Sequence, residues 1–201
     1  MTSIHNISDK LKRIIIGRAI GENITVDPIF DELLDMYMND VNSSTVRELI
    51  TIYLSNCEPL PGKLGRDCKD LNTGEEKEIK PKNYYGKKPH DGSGCFNDYT
   101  RKRFRKDLSD NLHIISSFFI NGKVAYIIEF SIHALENRLD RQIYEKCESK
   151  KNNDYVRSAV WSYKDWMNHP SLKLHYINND LINDNPKSMT KNFLEVIKSI
   201  K

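Results

Sequence analysis

Asp67-Cys68-Lys69-Asp70-Leu71-Asn72-Thr73-Gly74-Glu75-Glu76-Lys77-Glu78-Ile79-Lys80-Pro81 reads as two short strands joined by a turn. Side chains alternate between the faces of a strand, so Glu78 and Lys80 share one face and Ile79 takes the other. Folding at Asn72-Thr73-Gly74 returns at least one aspartate to the side of Glu78. Register decides which one. A two-residue turn at Asn72-Thr73 makes paired residue numbers sum to 145 and sets Asp67 opposite Glu78. A three-residue turn closing on a left-handed Gly74 shifts the sum to 146, so that Asp70 faces Glu76 and lies diagonal to Glu78. A slip of one residue exchanges the two aspartates, and both stay open as candidates.

Either register yields two carboxylates that can hold a divalent cation, with an ammonium group beside them. That combination suits metal-assisted hydrolysis of a phosphodiester. The competing reading is a solvated hairpin laced by cross-strand ion pairs, which contribute little energy at a surface. Glu75 and Glu76 read as surface residues in both cases.

Upstream, the chain reads as helical. Ser8 or Asp9 can cap a helix with Leu11, Ile14, Ile15 and Ala19 at three- and four-residue steps. Asp27-Pro28 opens a second helix, with Phe30, Leu33, Leu34 and Tyr37 expected inward. Ser44 precedes a third, with Val46, Leu49, Ile50, Tyr53 and Leu54 as its buried stripe, and the Pro-rich segment 58–62 stops it.

Downstream, Tyr84 to Arg105 is dense in Gly, Lys, Asn and aromatics without a sustained period, and reads as a long ordered loop. Leu112–Ile120 and Lys123–Phe130 flank Asn121-Gly122, the strongest short hairpin signal, because both turn residues need positive φ. These arms show little polar alternation, which predicts strands covered on both faces. A helix near His133–Cys147, a polar break at 150–154, a Trp161/Tyr163/Trp166 cluster, a strand at Leu172–Ile177 and a helix at Met189–Ile200 complete the chain. The aromatic cluster reads as core. The expected architecture is a mixed sheet flanked by helices in a single α/β or α+β domain over 1–201, with a helical part at 1–56 and the catalytic and recognition core at 60–201.

The composition, 38% hydrophobic and 29% charged, is that of a water-soluble domain, and no apolar run approaches membrane-spanning length. Residues 1–18 lack an apolar signal-peptide core, so a cytoplasmic location is expected. The four cysteines lack paired spacing and read as free thiols, and no CxxC pair supports a zinc site from Cys57, Cys68, His90 and Cys95. The net charge of +3 is unevenly spread: Pro61 to Lys106 holds thirteen Lys and Arg against seven Asp and Glu. Excess cations around a small acidic cluster suit a polyanion, because they neutralise phosphates and release counterions. Lys82, Lys87, Lys88, Asn97 and Tyr99 offer cations, amides and aromatics that can reach phosphates and base edges. Arg101, Lys102, Arg103, Arg105 and Lys106 read as backbone anchors. His90 and His113 stand isolated in sequence, and no phosphate-cradling glycine motif occurs.

A helix leading into a hairpin with Asp on one arm and Glu78-Ile79-Lys80 on the other resembles the PD-(D/E)XK nuclease superfamily, the fold of most type II restriction endonucleases. The opening Gly65-Arg66-Asp67 is similar to members that use the earlier aspartate; no proline precedes either candidate. The resemblance implies a restriction-endonuclease-like core and a Mg²⁺-dependent DNA endonuclease, with Mn²⁺ as a substitute. It implies Asp67 or Asp70, Glu78 and the Ile79 carbonyl as metal ligands, Glu48 as an outer ligand and Lys80 against the phosphate. The products would carry 5′-phosphate and 3′-hydroxyl ends. A homodimer suits cleavage of both strands of a symmetric site; no membrane and no small-molecule cofactor are implied. The alternatives are a phage or mobile-element endonuclease acting on foreign or single-stranded DNA, and a non-catalytic nucleic-acid-binding protein. A partner-binding protein without any nucleic-acid role is a further one.

Overall fold

The structure, a computed structural model, describes residues 7–61, 65–149 and 154–200. Three helices come first: α1 (Asp9–Ile20), α2 (Pro28–Met38) and α3 (Thr45–Leu54). The Ser8 hydroxyl caps α1 by accepting from the Leu11 N–H, and the Asp27 carboxylate caps α2 by accepting from Ile29 and Phe30. Ile15 and Ala19 of α1 and Leu49, Ile50 and Ile52 of α3 are buried. The expected inward face of α2 is corrected. Leu34 and Met38 are buried, whereas Phe30, Leu33 and Tyr37 are exposed, together with Ile29 and Met36.

The strands and remaining helices follow as β1 (Cys57–Pro59), β2 (Cys68–Asp70), β3 (Glu76–Tyr84), β4 (Gly94–Tyr99), α4 (Arg101–Ser109), β5 (His113–Ile120), β6 (Lys123–Ser131) and α5 (Glu136–Ile143). After these come β7 (Val156–Trp161), α6 (Tyr163–Trp166), β8 (Lys173–Ile177), α7 (Asn179–Asp184) and α8 (Lys191–Ser199). A mixed six-stranded sheet has the order β1-β2-β3-β5-β6-β8, in which β3 and β5 run parallel and every other neighbouring pair is antiparallel. β4 and β7 form a separate two-stranded ribbon.

The sheet divides two hydrophobic cores. On one face Ile79, Ile115, Phe119 and Ile127 meet helices α1 to α3; on the other Ile114, Phe118, Ile128 and Phe130 meet α4, α5, α8 and the ribbon. β5 and β6 are covered on both sides, which explains their unbroken apolar sequence. Their turn has Asn121 at φ 48° and Gly122 at φ 74°, as that dipeptide predicts.

Part of the expected loop between Tyr84 and Arg105 is β4 and the start of α4. The short strand pattern was masked by glycine, because Gly94 leaves room for the Trp161 indole across the ribbon. Trp161 and Trp166 are core residues, lying against Phe96 and Phe130 at 4.9 and 5.6 Å between ring centroids. The expected polar break at 150–154 and the N-terminal reading lie partly outside the described residues. Among the described residues, no helix is long and apolar enough to cross a membrane.

Candidate active site

The hairpin settles into the register in which paired numbers sum to 145, with Cys68 opposite Lys77 and Lys69 opposite Glu76. Its loop is longer than either expected turn. The Asp70 N–H donates to the Glu75 carbonyl, and Leu71 to Gly74 bulge beyond this pair, with Gly74 at φ 75°. The Asp67 N–H also donates to the Lys77 carbonyl, at 3.0 Å, so Asp67 and Cys68 both stand opposite Lys77 and the ladder slips by one residue there. The Asp67 carboxylate reaches the Ile79 N–H from outside the strict register, near enough to Glu78 to feel its charge.

Asp70 is turned the other way. One carboxylate oxygen accepts from the Asn72 and Thr73 N–H groups, and the other meets the Lys77 ammonium at 2.7 Å. Asp70 therefore braces the turn on the face opposite Glu78, and its candidacy as a ligand beside Glu78 is corrected on geometric grounds. Burial pushes its carboxyl up, but Lys77 and the two backbone donors outweigh this and lower it to about 2.

On the α4 face, Glu78 and Lys80 lie side by side. The Lys80 Nζ donates to Glu78 Oε1 at 2.6 Å, and Arg103 Nη2 donates to the same oxygen at 3.2 Å. Glu78 Oε2 is buried without a hydrogen-bond partner among the described residues. Asp67 Oδ2 accepts from the Ile79 N–H at 2.7 Å. A strand residue directs its N–H and C=O to the same edge, so the Ile79 carbonyl faces the gap where Asp67 sits. Burial, then the Glu78 charge, push the Asp67 carboxyl up to about 6 against the opposing Ile79 N–H and Lys80; Glu48 adds a smaller upward push. Glu48 is engaged by the Ser44 hydroxyl on α3, and it stands near Asp67 without joining it.

Asp67, Glu78 and Arg103 open on a cleft of about 610 Å³, whose wall also includes Arg66, Lys106 and Asp107. Two of these were missed in sequence. Asp107, 1% exposed, accepts from the Tyr99 hydroxyl at 2.7 Å and pairs with Arg66 at 2.8 Å. Arg66 thus ties the residue preceding Asp67 to α4. The available signals were its adjacency to Asp67 and the four-residue step from Arg103 to Asp107. Tyr99 is fully buried, so its expected contact with DNA is corrected. Arg101 is engaged by Asp140 and Glu148. Lys82, Lys87, Lys88, Asn97, Lys102 and Arg105 remain exposed.

Behind the hairpin lies a second polar cluster that the sequence hid. Lys77 bridges Asp70 and Glu129, and Glu129 also takes hydrogen bonds from His113 and His175, both at 2.7 Å. Burial raises the Glu129 carboxyl, but these three partners hold it well below the usual range. His90 sits elsewhere, stacked on Phe118 in the α4-side core, so it and Cys57 and Cys68 on the α3-side core do not converge on a zinc site.

The donor set suits a small hard cation. Mg²⁺ is commonly held by one or two carboxylates with waters filling the remaining positions, and a partnerless buried Glu78 oxygen beside a second acidic group matches that need. Among the described residues, no group of three or more His, Cys, Asp or Glu is placed to hold a metal ion. No family model matches the chain, and no curated protein matches it either.

Proposed function

We propose that this chain is a Mg²⁺-dependent DNA endonuclease with a PD-(D/E)XK-like site, probing foreign DNA as a restriction-type or mobile-element enzyme does. The observation that carries the reading is Asp67, Glu78 and Lys80 on one sheet face, with one Glu78 oxygen buried and unpartnered. Asp67, Glu78 and the Ile79 carbonyl would hold the ion. When bound, it supplies Lewis acidity toward the phosphate and a lowered pKa for water.

The chain's own groups do the positioning. Lys80 presents its ammonium toward a non-bridging phosphate oxygen and restrains the attacking water. Asp67 is held by the Ile79 N–H and Glu78 by Lys80 and Arg103, which limits the reorganisation needed before reaction. The exposed cations from Lys82 to Arg105 would track the backbone on either side. In-line attack would leave a 5′-phosphate and a 3′-hydroxyl, and a two-fold assembly would cut both strands of a symmetric site.

A second reading has its own support. Glu78 Oε1 is already shared by Lys80 and Arg103, an arrangement that a purely DNA-binding surface would also tolerate. One experiment separates the two. Plasmid and single-stranded DNA are incubated with the protein, with and without Mg²⁺, beside Glu78→Ala and Lys80→Ala. Cleavage that needs Mg²⁺ and is lost in both variants supports the nuclease. Equal, salt-sensitive binding by all three proteins without any cutting supports the binding reading and removes the first.

A further inference from the structure

We propose that Arg103 is a catalytic residue of this site, a guanidinium that binds a non-bridging oxygen of the phosphate under attack; this rests on the nuclease reading above. Five cations lie on the first two turns of α4, and only Arg103 reaches Glu78. Arg101 is held by Asp140 and Glu148, Lys106 meets Asp110, and Lys102 and Arg105 point to solvent. A run of basic residues thus resolves into one inward-facing member.

That member is held on several sides. The Thr100 hydroxyl accepts from the Arg103 N–H at 3.0 Å and fixes the start of α4. The guanidinium carbon lies 5.2 Å from the Phe96 ring centroid and 5.4 Å from that of Tyr99, within cation–π range of both. Its Nε is 3.7 Å from Asp107 Oδ2, while Asp107 is itself anchored by Tyr99 and Arg66. Contacts to Glu78 and Asp107 use one edge of the fork. The Nη1 donors have no protein partner among the described residues, and the side chain retains 35% exposure toward the cleft.

Lys80 lies over the same Phe96 ring, at 5.5 Å. Two cations therefore flank one ring and share one carboxylate oxygen. Whatever neutralises Glu78 releases both to a common anion, and a phosphate offers two non-bridging oxygens for them. In the reaction the water oxygen bonds to phosphorus and its proton passes to solvent. The bond from phosphorus to the 3′ oxygen breaks with its electron pair, and that oxygen takes a proton from solvent. Arg103 stays protonated throughout and meets the charge that grows on the non-bridging oxygens.

The test compares the wild-type chain with Arg103→Ala, Arg103→Lys and Lys198→Ala. It measures single-turnover cleavage of DNA at saturating protein, and Mg²⁺ binding to the DNA-free proteins by calorimetry. Arg103→Ala is expected to cut about 10²–10³-fold more slowly, the scale for losing one preorganised donor. Arg103→Lys should recover only part of this, because a point charge does not reproduce the fork. Lys198→Ala should stay within about threefold of wild type, as an exposed cation on α8 outside the site. Mg²⁺ affinity of Arg103→Ala should be equal to or tighter than wild type, since a cation has left the ligand set. Cleavage by Arg103→Ala at the wild-type rate overturns the proposal, and so does a slower rate explained by weakened Mg²⁺ binding. Wild-type protein that never cuts DNA removes the nuclease reading itself, and this proposal with it.

Discussion

Replacing Asp67 with asparagine should stabilise the metal-free protein at neutral pH while abolishing its proposed chemistry. Burial and the neighbouring Glu78 raise the Asp67 carboxyl from 3.8 to about 6. In the unfolded chain the group ionises near pH 4, but in the fold it keeps its proton until about pH 6. Between these values the folded state binds more protons, so stability falls as pH rises, and the full loss is present above pH 6. At about 1.4 kcal/mol per unit of pKa, the ionised carboxylate destabilises the fold by up to about 3 kcal/mol at pH 7. An amide at this position carries no such charge and can still accept from the Ile79 N–H, so Asp67→Asn should recover most of that. For a chain of this size the gain corresponds to a rise of roughly 6–12 °C in Tm. Thermal unfolding in EDTA at pH 4 and pH 7 measures it: the variant should exceed wild type at pH 7 and match it at pH 4. Adding Mg²⁺ at pH 7 should then raise the wild type, by about 2.7 kcal/mol at a hundredfold excess over Kd, and raise the variant less. A variant no more stable than wild type at pH 7 would refute the argument that Asp67 is held in an unfavourable ionisation state.

On the other face of the hairpin, Lys77→Met should destabilise by about 3 kcal/mol, because it leaves the buried Asp70 and Glu129 carboxylates without their shared ammonium; an unchanged urea midpoint would contradict this. Asp70 and Glu129 titrate below their unfolded values, so their contribution is complete above about pH 4 and is lost as pH falls, for Asp70 through about 2. Acid unfolding monitored by circular dichroism should therefore begin at higher pH in Lys77→Met than in wild type. Gly94→Ala places a Cβ 2.3 Å from Cζ2 of the buried Trp161 and should cost about 1–3 kcal/mol. A melting temperature equal to wild type would show that the indole can move aside.

How much of this was legible in the sequence depended on the range of the interaction. Helix starts at Ser8 and Asp27, the Asn121-Gly122 turn and the doubly covered strands around it follow from neighbours within a few residues, and they fold as those neighbours dictate. The pairing of Glu78 with Lys80 is equally local. The choice between Asp67 and Asp70 was not, because it turned on a loop whose length the turn residues underdetermine. Leu71 to Gly74 loop out while the register stays at 145. Longer-range partners left weaker traces. Nothing in the sequence near His113 announces Glu129 or His175, which arrive through β6 and β8. Nor does composition separate Arg103 from Arg101 or Arg105, since all three sit in one basic run and only the crossing of α4 over β3 distinguishes them. The inward face of α2 failed for a related reason: its apolar residues encircle more than one side, and periodicity alone does not say which side meets the sheet.

The alternation of β3 explains why brace and site can coexist in so few residues. Lys77 and Ile79 face one core while Glu78 and Lys80 face the other, so the buried Lys77 network and the Asp67–Glu78 pair stand back to back across one strand. The Lys77 side fixes the register that the Glu78 side needs. A slip of one residue would carry Glu78 toward the apolar α3 side and Lys77 into the cleft, breaking the Asp70 and Glu129 contacts at the same time. The acidic pair is unfavourable when ionised and cannot hold its own register. The ion pairs behind it are formed without any bound cation and can. Stability on one face therefore maintains, before any ligand arrives, the carboxylate geometry that the other face presents.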